Sequence, residues 1–316
     1  MSQQFVALAG GVGGAKLAHG LCAAHGKNLT VIVNTGDDFE HLGLHISPDL
    51  DTVMYTLGGI ANPTTGWGVA DESWTFLDQI ARLGGPDWFR LGDRDLATHV
   101  LRTQALRQGT RLTDVVADLC RRLQIPARIL PMTDAPVRTI VETEEGPLAF
   151  QDYFVARQCK IPVRGFRFDG IDSAEPTPEV LAALGHANLA AVVLCPSNPF
   201  VSLDPILALP GVKEGLAHCA RPIIGVSPII GGAAVKGPAG RMLQELGFEV
   251  SALAVARRFS NVLDGFVIDT VDSALAPRIA ALGIEVEVAP TLMTSELDRR
   301  TLAEVCVAFA QRISGA

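Results

Sequence analysis

Cysteine is scarce and scattered in this 316-residue chain. The six cysteines (Cys22, Cys120, Cys159, Cys195, Cys219 and Cys306) form no C-x-x-C pair and have no histidine at ligand spacing, so neither a zinc framework nor a disulfide scaffold is supported. A reduced, cytoplasmic interior suits them. Long apolar runs are missing too. No stretch approaches the roughly 18 residues that a membrane span needs, and "MSQQFVALAGG" has no basic segment before its short apolar run, so neither a secretion signal nor a membrane anchor is expected. Positive charge is also in deficit, with 26 Lys and Arg against 34 Asp and Glu and a formal charge of -8. A nucleic-acid or anionic-membrane surface would need clustered cations. Any phosphorylated ligand therefore approaches against the global field, and local cations, backbone amides or a metal must offset it. Internal repeats, low-complexity tracts and Ser/Pro-rich linkers are absent.

What is present is an ordinary globular composition, 48% hydrophobic and 19% charged. "FVALAG" reads as a buried strand, a helix follows from about Gly13 to Ala24, and "LTVIVNTG" is a second buried strand. That βαβ opening predicts a parallel sheet. Helical patterns then run through "SPDLDTVMYTL", "ADESWTFLDQIARLG", "DRDLATHVLRTQALRQG" and "LTDVVADLCRRLQI". Strand character returns with "ARILPM", and "VRTIVETEEGPLAFQDYFV" predicts a hairpin turning at Glu144-Glu145-Gly146. Beyond it, "LAAVVLCP", "PIIGVSP", "FVIDT" and "IEVEV" alternate with helices near "DPILALPGVKEGLA", "AGRMLQELG", "SALAPRIAALG" and "SELDRRTLAEVCVAFAQRI". The expected fold class is α/β: a doubly wound, mainly parallel sheet in one domain over 1–316, with a helical and β-hairpin insertion at about 65–165.

The first turn, "ALAGGVGGAKLAHGL", fits neither standard phosphate loop. Laid on Gly11 and Gly13, the dinucleotide fingerprint meets Lys16 where its third glycine belongs, and a Walker A loop needs Gly-Lys-Ser/Thr where the chain has Ala15-Lys16-Leu17. The physics survives the templates: glycines let the backbone turn tightly, and the helix presents unpaired N–H groups to an anion. Lys16 either approaches the phosphates or points to solvent. The second strand ends in "NTGDD", and Asp37 and Asp38 at the carboxyl end of a parallel strand suit a hard cation such as Mg²⁺. Ser47 and Pro48 read as N-cap and first helical residue, which puts Asp49 and Asp51 in the first turn. Residues two apart on a helix point about 200° apart, so in a regular helix the two carboxylates face different partners. "WFRLGDRDLATHVLR" offers Asp93 or Asp95 as a cap, with Arg90, Arg94 and His99 nearby and Trp88 and Phe89 available to stack on a ring. "CPSNPFVSLDP" sets Ser197 and Asn198 after a strand, where small donors suit phosphate or ribose, and "VSPIIGGAAVKGPAG" adds a second glycine-rich segment with Lys236.

Together "GGVGGAKLAHGL", "NTGDD", "ISPDLDTVMYTL", "LGDRDLATH", "ILPMTDAPVRTIVET", "FQDYFV", "PSNPFVSLDPILALPG" and "VSPIIGGAAVKGPAG" resemble the 2-phospho-L-lactate transferase family of coenzyme F420 biosynthesis, collinearly over nearly the whole chain. The resemblance implies a Rossmann-like fold, Mg²⁺ dependence and a homodimer. It implies a guanosine-diphospho donor of a small acid (lactate, enolpyruvate or glycerate), the deazaflavin Fo as acceptor, and GMP as leaving group. It places deazaflavin contacts on Asp51 and Arg90, to which Asp93, Arg94 and His99 are added as neighbours. Asp51 and Asp38 are then the catalytic candidates, Asp38 and Asp49 the metal ligands, and Gly11, Gly13, Gly14, Ser197 and Asn198 the diphosphate cradle. The alternative is a non-enzymatic nucleotide-sugar-binding regulator of the gluconeogenesis-factor type, disfavoured by "DDFEHLGLHISPDLDT", which lacks the Gly/Ser-rich segment of that branch. A nicotinamide oxidoreductase is disfavoured because Asn34, not an acid, closes the second strand.

Overall fold

Alternate residues of the first strand, β1 (Gln4–Ala9), enter opposite cores. Phe5, Ala7 and Ala9 pack on one face, Val6 and Leu8 on the other. Both faces are therefore covered, as an all-parallel sheet requires. The computed structural model describes residues 2–315. After β1 come α1 (Gly11–His25), β2 (Leu29–Val33), a hairpin of β3 (Phe39–His41) and β4 (Leu44–Ile46), and the helices α2 (Pro48–Leu57), α3 (Thr75–Arg82), α4 (Asp93–Arg107) and α5 (Leu112–Arg122). β5 (Arg128–Pro131) precedes an antiparallel trio of β6 (Arg138–Thr143), β7 (Gly146–Ala149) and β8 (Val163–Asp169). The chain continues through α6 (Pro178–Leu184), β9 (Leu189–Leu194), α7 (Asp204–Ala208), α8 (Val212–His218) and β10 (Ile223–Val226). A short hairpin of β11 (Ile229–Ile230) and β12 (Ala233–Ala234) leads to α9 (Ala239–Glu245), α10 (Ala252–Arg258), β13 (Gly265–Ile268), α11 (Ala276–Ala280), β14 (Glu285–Val288) and α12 (Glu296–Ile313).

Seven strands make one sheet in the order β14-β13-β10-β9-β1-β2-β5, and every neighbouring pair is parallel. The chain winds outward from β1 through β2 to β5, returns beside β1 as β9, and winds outward again. This is the doubly wound, Rossmann-like α/β arrangement expected from the βαβ opening. Its strand order reverses between β1 and β9, and ligands of such sheets bind in the crevice beyond the carboxyl ends there.

Small residues let α1 lie close to its neighbours. A Cβ on Gly20 would fall 2.0 Å from the backbone carbonyl oxygen of Arg299 at the start of α12. Gly20→Ala must push the two helices apart, and over-packing of this kind costs about 1–3 kcal/mol. A lowered urea midpoint with an unchanged slope is the expected reading; an unaltered midpoint would show that α12 moves freely.

Three departures from the sequence reading have local causes. The β3–β4 hairpin sits inside what reads as an acidic loop, because strands of three residues are too short to show a period; Leu42 and Gly43, both at positive φ (53° and 73°), make its turn. The expected β6–β7 hairpin is present and gains β8 as a third strand. The helix expected near "DPILALPGVKEGLA" is two short ones, broken at Gly211, whose φ is 87°. Among the described residues, no helix is long and apolar enough to cross a membrane.

Candidate active site

The turn after β1 and the turn after β9 are locked together at the strand reversal. The Ser197 hydroxyl accepts from the Gly10 N–H at 3.0 Å and donates to the Gly10 carbonyl at 2.9 Å. A Cβ on Gly13 would sit 2.3 Å from the Pro196 carbonyl oxygen, and one on Gly14 would sit 2.4 Å from Ser197 Oγ. These glycines thus admit the β9 turn against α1. Gly11, at φ 61°, donates its N–H to Asp49 Oδ1 at 2.6 Å. Asn198 caps a π-helical turn over 199–203: its Oδ1 accepts from the Phe200 N–H at 3.0 Å and its Nδ2 reaches Met242 Sδ at 3.3 Å. Lys16 does not point to solvent. Its ammonium donates to the Met293 carbonyl at 2.8 Å.

Three buried aspartates, Asp37 and Asp38 in the loop after β2 and Asp49 in the first turn of α2, approach this turn. Asn34, at the end of β2 and fully buried, donates its Nδ2 to Asp49 Oδ2 at 2.9 Å and to the Val201 carbonyl at 3.0 Å. Asn34 therefore aims Asp49 at the glycine turn, a part that its position in the sequence does not suggest. Asp38 Oδ2 accepts from His45 Nε2 at 3.1 Å and from the Ser47 hydroxyl at 2.8 Å. Ser47 precedes α2, but its hydroxyl serves Asp38 and leaves the helix N–H groups alone. Asp37 Oδ1 and Asp38 Oδ1 are buried without a hydrogen-bond partner. Burial, reinforced by the neighbouring Asp49 charge, raises the Asp37 carboxyl well above the usual range. Burial lifts Asp49 to about 6, against the pull of its Asn34 and Gly11 hydrogen bonds.

Asp51 faces elsewhere, as two residues of separation on a helix dictate. It makes a bidentate pair with Arg102 of α4, whose side chain is completely buried, and lies 3.6 Å from His99 Nδ1. His99 Nε2 is 3.1 Å from Asp95, which accepts from the Tyr55 hydroxyl at 2.6 Å. Burial raises the Asp51 carboxyl although Arg102 and His99 oppose it. Burial also pushes Asp95 up, but the His99 and Tyr55 hydrogen bonds outweigh it and hold that carboxyl below its ordinary value. Asp51, Asp95 and His99 lie close enough for one atom of each to surround a cation, yet the Arg102 guanidinium already fills that part. Arg102 and Tyr55 carry this cluster without showing as site residues in the sequence; the spacing of His99 and Arg102, one helical turn apart, is the signal that could have found Arg102.

The remaining acceptor-side candidates separate. Asp93 is not the cap of α4. It accepts from the Thr75 and Phe76 N–H groups at 3.1 and 3.0 Å and so caps α3, while Glu72 accepts from the Arg94 and Asp95 N–H groups at 2.8 and 2.7 Å and caps α4. Each of the two helix starts is thus capped by an acid from the other's segment. Arg90 is exposed and lies 4.1 Å above the Trp74 ring. Arg94 donates to the Ala70 carbonyl at 3.1 Å. Trp88 and Phe89 meet Phe39 and His41 of the β3 strand, with ring centroids 4.9 Å apart for Phe39 and Phe89 and 5.2 Å for His41 and Trp88. Burial, and the His99 ring of the Asp51 cluster, hold His41 of this aromatic group below its ordinary basicity.

The glycine turn, the segment after β2, Asp49 and the β9 turn are thus one hydrogen-bonded cluster, and residues 5–300 match the family described as 2-phospho-L-lactate transferase CofD. The chain belongs to this transferase family. A phosphoenolpyruvate transferase of Streptomyces griseus is 43% identical over 98% of this chain and 99% of its own. Its counterpart in Thermobifida fusca is 43% identical over 97% and 98% of the two chains, and that of Mycolicibacterium smegmatis 40% identical over 91% and 92%. A crystal structure of a UPF0052-family protein from Bacillus halodurans shares the fold, with a TM-score of 0.63 at 14% identity over 97% of this chain and 99% of that one. The CofD family is the one that the eight sequence blocks resemble.

Proposed function

We propose that the protein transfers an enolpyruvyl phosphate group from a guanosine-diphospho donor to the terminal ribityl hydroxyl of Fo. The hydroxyl oxygen bonds to the phosphorus that carries the acid, the bond from that phosphorus to the GMP oxygen breaks, and GMP leaves with the electron pair. The supporting observation is the meeting, at the strand reversal, of a glycine-rich α1 start with buried carboxylates of which Asp37 Oδ1 and Asp38 Oδ1 have no partner. The names of the relatives favour enolpyruvate over lactate or glycerate as the acid.

The donor set fits Mg²⁺. Carboxylate oxygens are the ligands that a hard cation takes, and this pocket buries more negative charge than Arg102 offsets. Asp38 and Asp49 would hold the ion, with Asp37 beside them; once bound, it would neutralise charge on the diphosphate. The chain's own groups do the rest. The glycine turn and Ser197 position the diphosphate, and the Trp88–Phe39 group offers ring faces to the deazaflavin. Asp51, oriented by Arg102 and kept more basic than usual by burial, accepts the hydrogen bond of the attacking hydroxyl. Arg90 reaches the same ligand from its place over Trp74.

The test is GMP release from enolpyruvyl, lactyl and glyceryl guanosine-diphospho donors, side by side, with Mg²⁺ and Fo. Fastest turnover is expected with the enolpyruvyl donor, and failure with all three would remove the reading. Arg90→Ala is expected to weaken Fo binding while GDP binding holds; equal loss of both would reject the acceptor role.

A further inference from the structure

Three cations near the start of α1 take no part in the site described above, and none has an acidic counter-ion within 4.0 Å among the described residues. Lys16 donates to the Met293 carbonyl. Lys236, from the second glycine-rich segment, donates to the Thr65 carbonyl. Arg299, in the first turn of α12, has its Nε buried without a partner. Both lysines therefore spend a full charge on a neutral carbonyl, in a chain whose formal charge is -8.

Their positions converge. Val12 precedes Lys16 by one helical turn on the same face of α1. A Cβ on Gly66 would lie 2.6 Å from Val12 Cγ1 and 3.3 Å from Lys236 Nζ. Segment 62–68 therefore meets the first turn of α1 at Val12, with the Lys236 ammonium beside the same glycine and Lys16 one helical turn beyond Val12. The charges interact: burial lowers the Lys16 ammonium's affinity for its proton, and the nearby Arg299 and Lys236 lower it further. Asp298 opposes this without forming an ion pair, and like charges held together without a paired carboxylate are relieved by a ligand carrying two or more negative charges.

We infer that Lys16 and Lys236 form a two-sided clamp for the donor's diphosphate, with Arg299 behind Lys16. Lys236 is the mobile jaw: in exchanging the Thr65 carbonyl for a phosphate oxygen it releases segment 62–68 from the first turn of α1. Lys16 is the fixed jaw, tied to the α12 approach through Met293. This deepens the transferase reading and rests on it for the identity of the nucleotide, but the clamp itself needs only a diphosphate.

Calorimetric titration of the intact protein with GDP, GMP and inorganic pyrophosphate tests it. Lys16→Met and Lys236→Met are each expected to weaken GDP about 10- to 100-fold, the loss of one charge-assisted hydrogen bond, and to leave GMP within about threefold. Lys236→Arg should retain most of the GDP affinity. Wild-type affinity for GDP in both Met variants, parallel loss of GDP and GMP, or a wild-type protein that binds neither GDP nor pyrophosphate would each overturn the clamp. The two readings fail separately. GDP binding lost in the Met variants, alongside a wild type that turns over no guanosine-diphospho acid, leaves the clamp and removes the transfer; turnover with undiminished GDP binding in both variants does the reverse.

Discussion

Arg102→Met is expected to destabilise the protein by about 3–5 kcal/mol, the cost of leaving a buried carboxylate without its partner. Arg102 is fully buried and Asp51 is 5% exposed, so water cannot replace the lost guanidinium. The pair is bidentate, and the same Arg102 Nη1 also approaches the His45 carbonyl at 3.4 Å, which ties α4 to the β3–β4 hairpin. Arg102→Lys should recover only part of the loss, because a single ammonium cannot satisfy both carboxylate oxygens. Adding Asp51→Asn to the Met variant should return stability by removing the orphaned charge. The measurement is the urea midpoint of the four proteins, and it has a functional companion. If Asp51 is oriented by Arg102, Fo affinity should fall in Arg102→Lys more than GDP affinity does. Equal midpoints for wild type and Arg102→Met would show that Asp51 is neutral in the folded protein and that no ion pair exists.

The parallel sheet was legible because buried strands such as "FVALAG" and "LAAVVLCP" are apolar on both faces, and the chain between them repeats at helical spacing. The βαβ order then leaves few topologies. The divergence of Asp49 from Asp51 was also legible, from helix geometry alone. The partners were not. Arg102 lies 51 residues from Asp51, and Asn34 reaches Val201 across 167, and no local pattern encodes contacts at such separations. Lys16 shows the same limit from another side. Its place on α1 was readable, but its bond to Met293 depends on where α12 begins, 277 residues away. Asp93 misled for a related reason: it sits beside a helix start in sequence and caps a different helix in space.

The buried aspartates should set stability and function against one another. A carboxyl whose folded pKa exceeds its unfolded value adds stability at low pH and loses it as pH rises through the folded value. Asp49, lifted to about 6, and Asp37, raised in the same direction, therefore weaken the fold progressively above about pH 4, unless a cation is bound. For Asp49 alone, a rise from 3.8 to about 6 corresponds to about 3 kcal/mol. Asp37→Asn removes one of these charges, and since Asp37 Oδ1 has no hydrogen-bond partner, little is lost with it. The variant should be more stable than wild type at pH 8 without divalent cations and equal to it near pH 4. Mg²⁺ should raise the wild-type midpoint at pH 8 and not at pH 4, where protons occupy the same oxygens. Activity should move the other way. Asp37→Asn is expected to lower GMP release about 10- to 100-fold, as loss of a group supporting a metal ligand does, and Asp38→Asn about 10²- to 10³-fold, the share of several kcal/mol that a metal ion contributes to transition-state charge. Unfolding midpoints over pH 4–8 with and without Mg²⁺, set beside initial rates, separate these effects. An Asp37→Asn protein less stable than wild type at pH 8 would mean that the carboxylate is attracted into its pocket, and the argument for a cation there would fall with it.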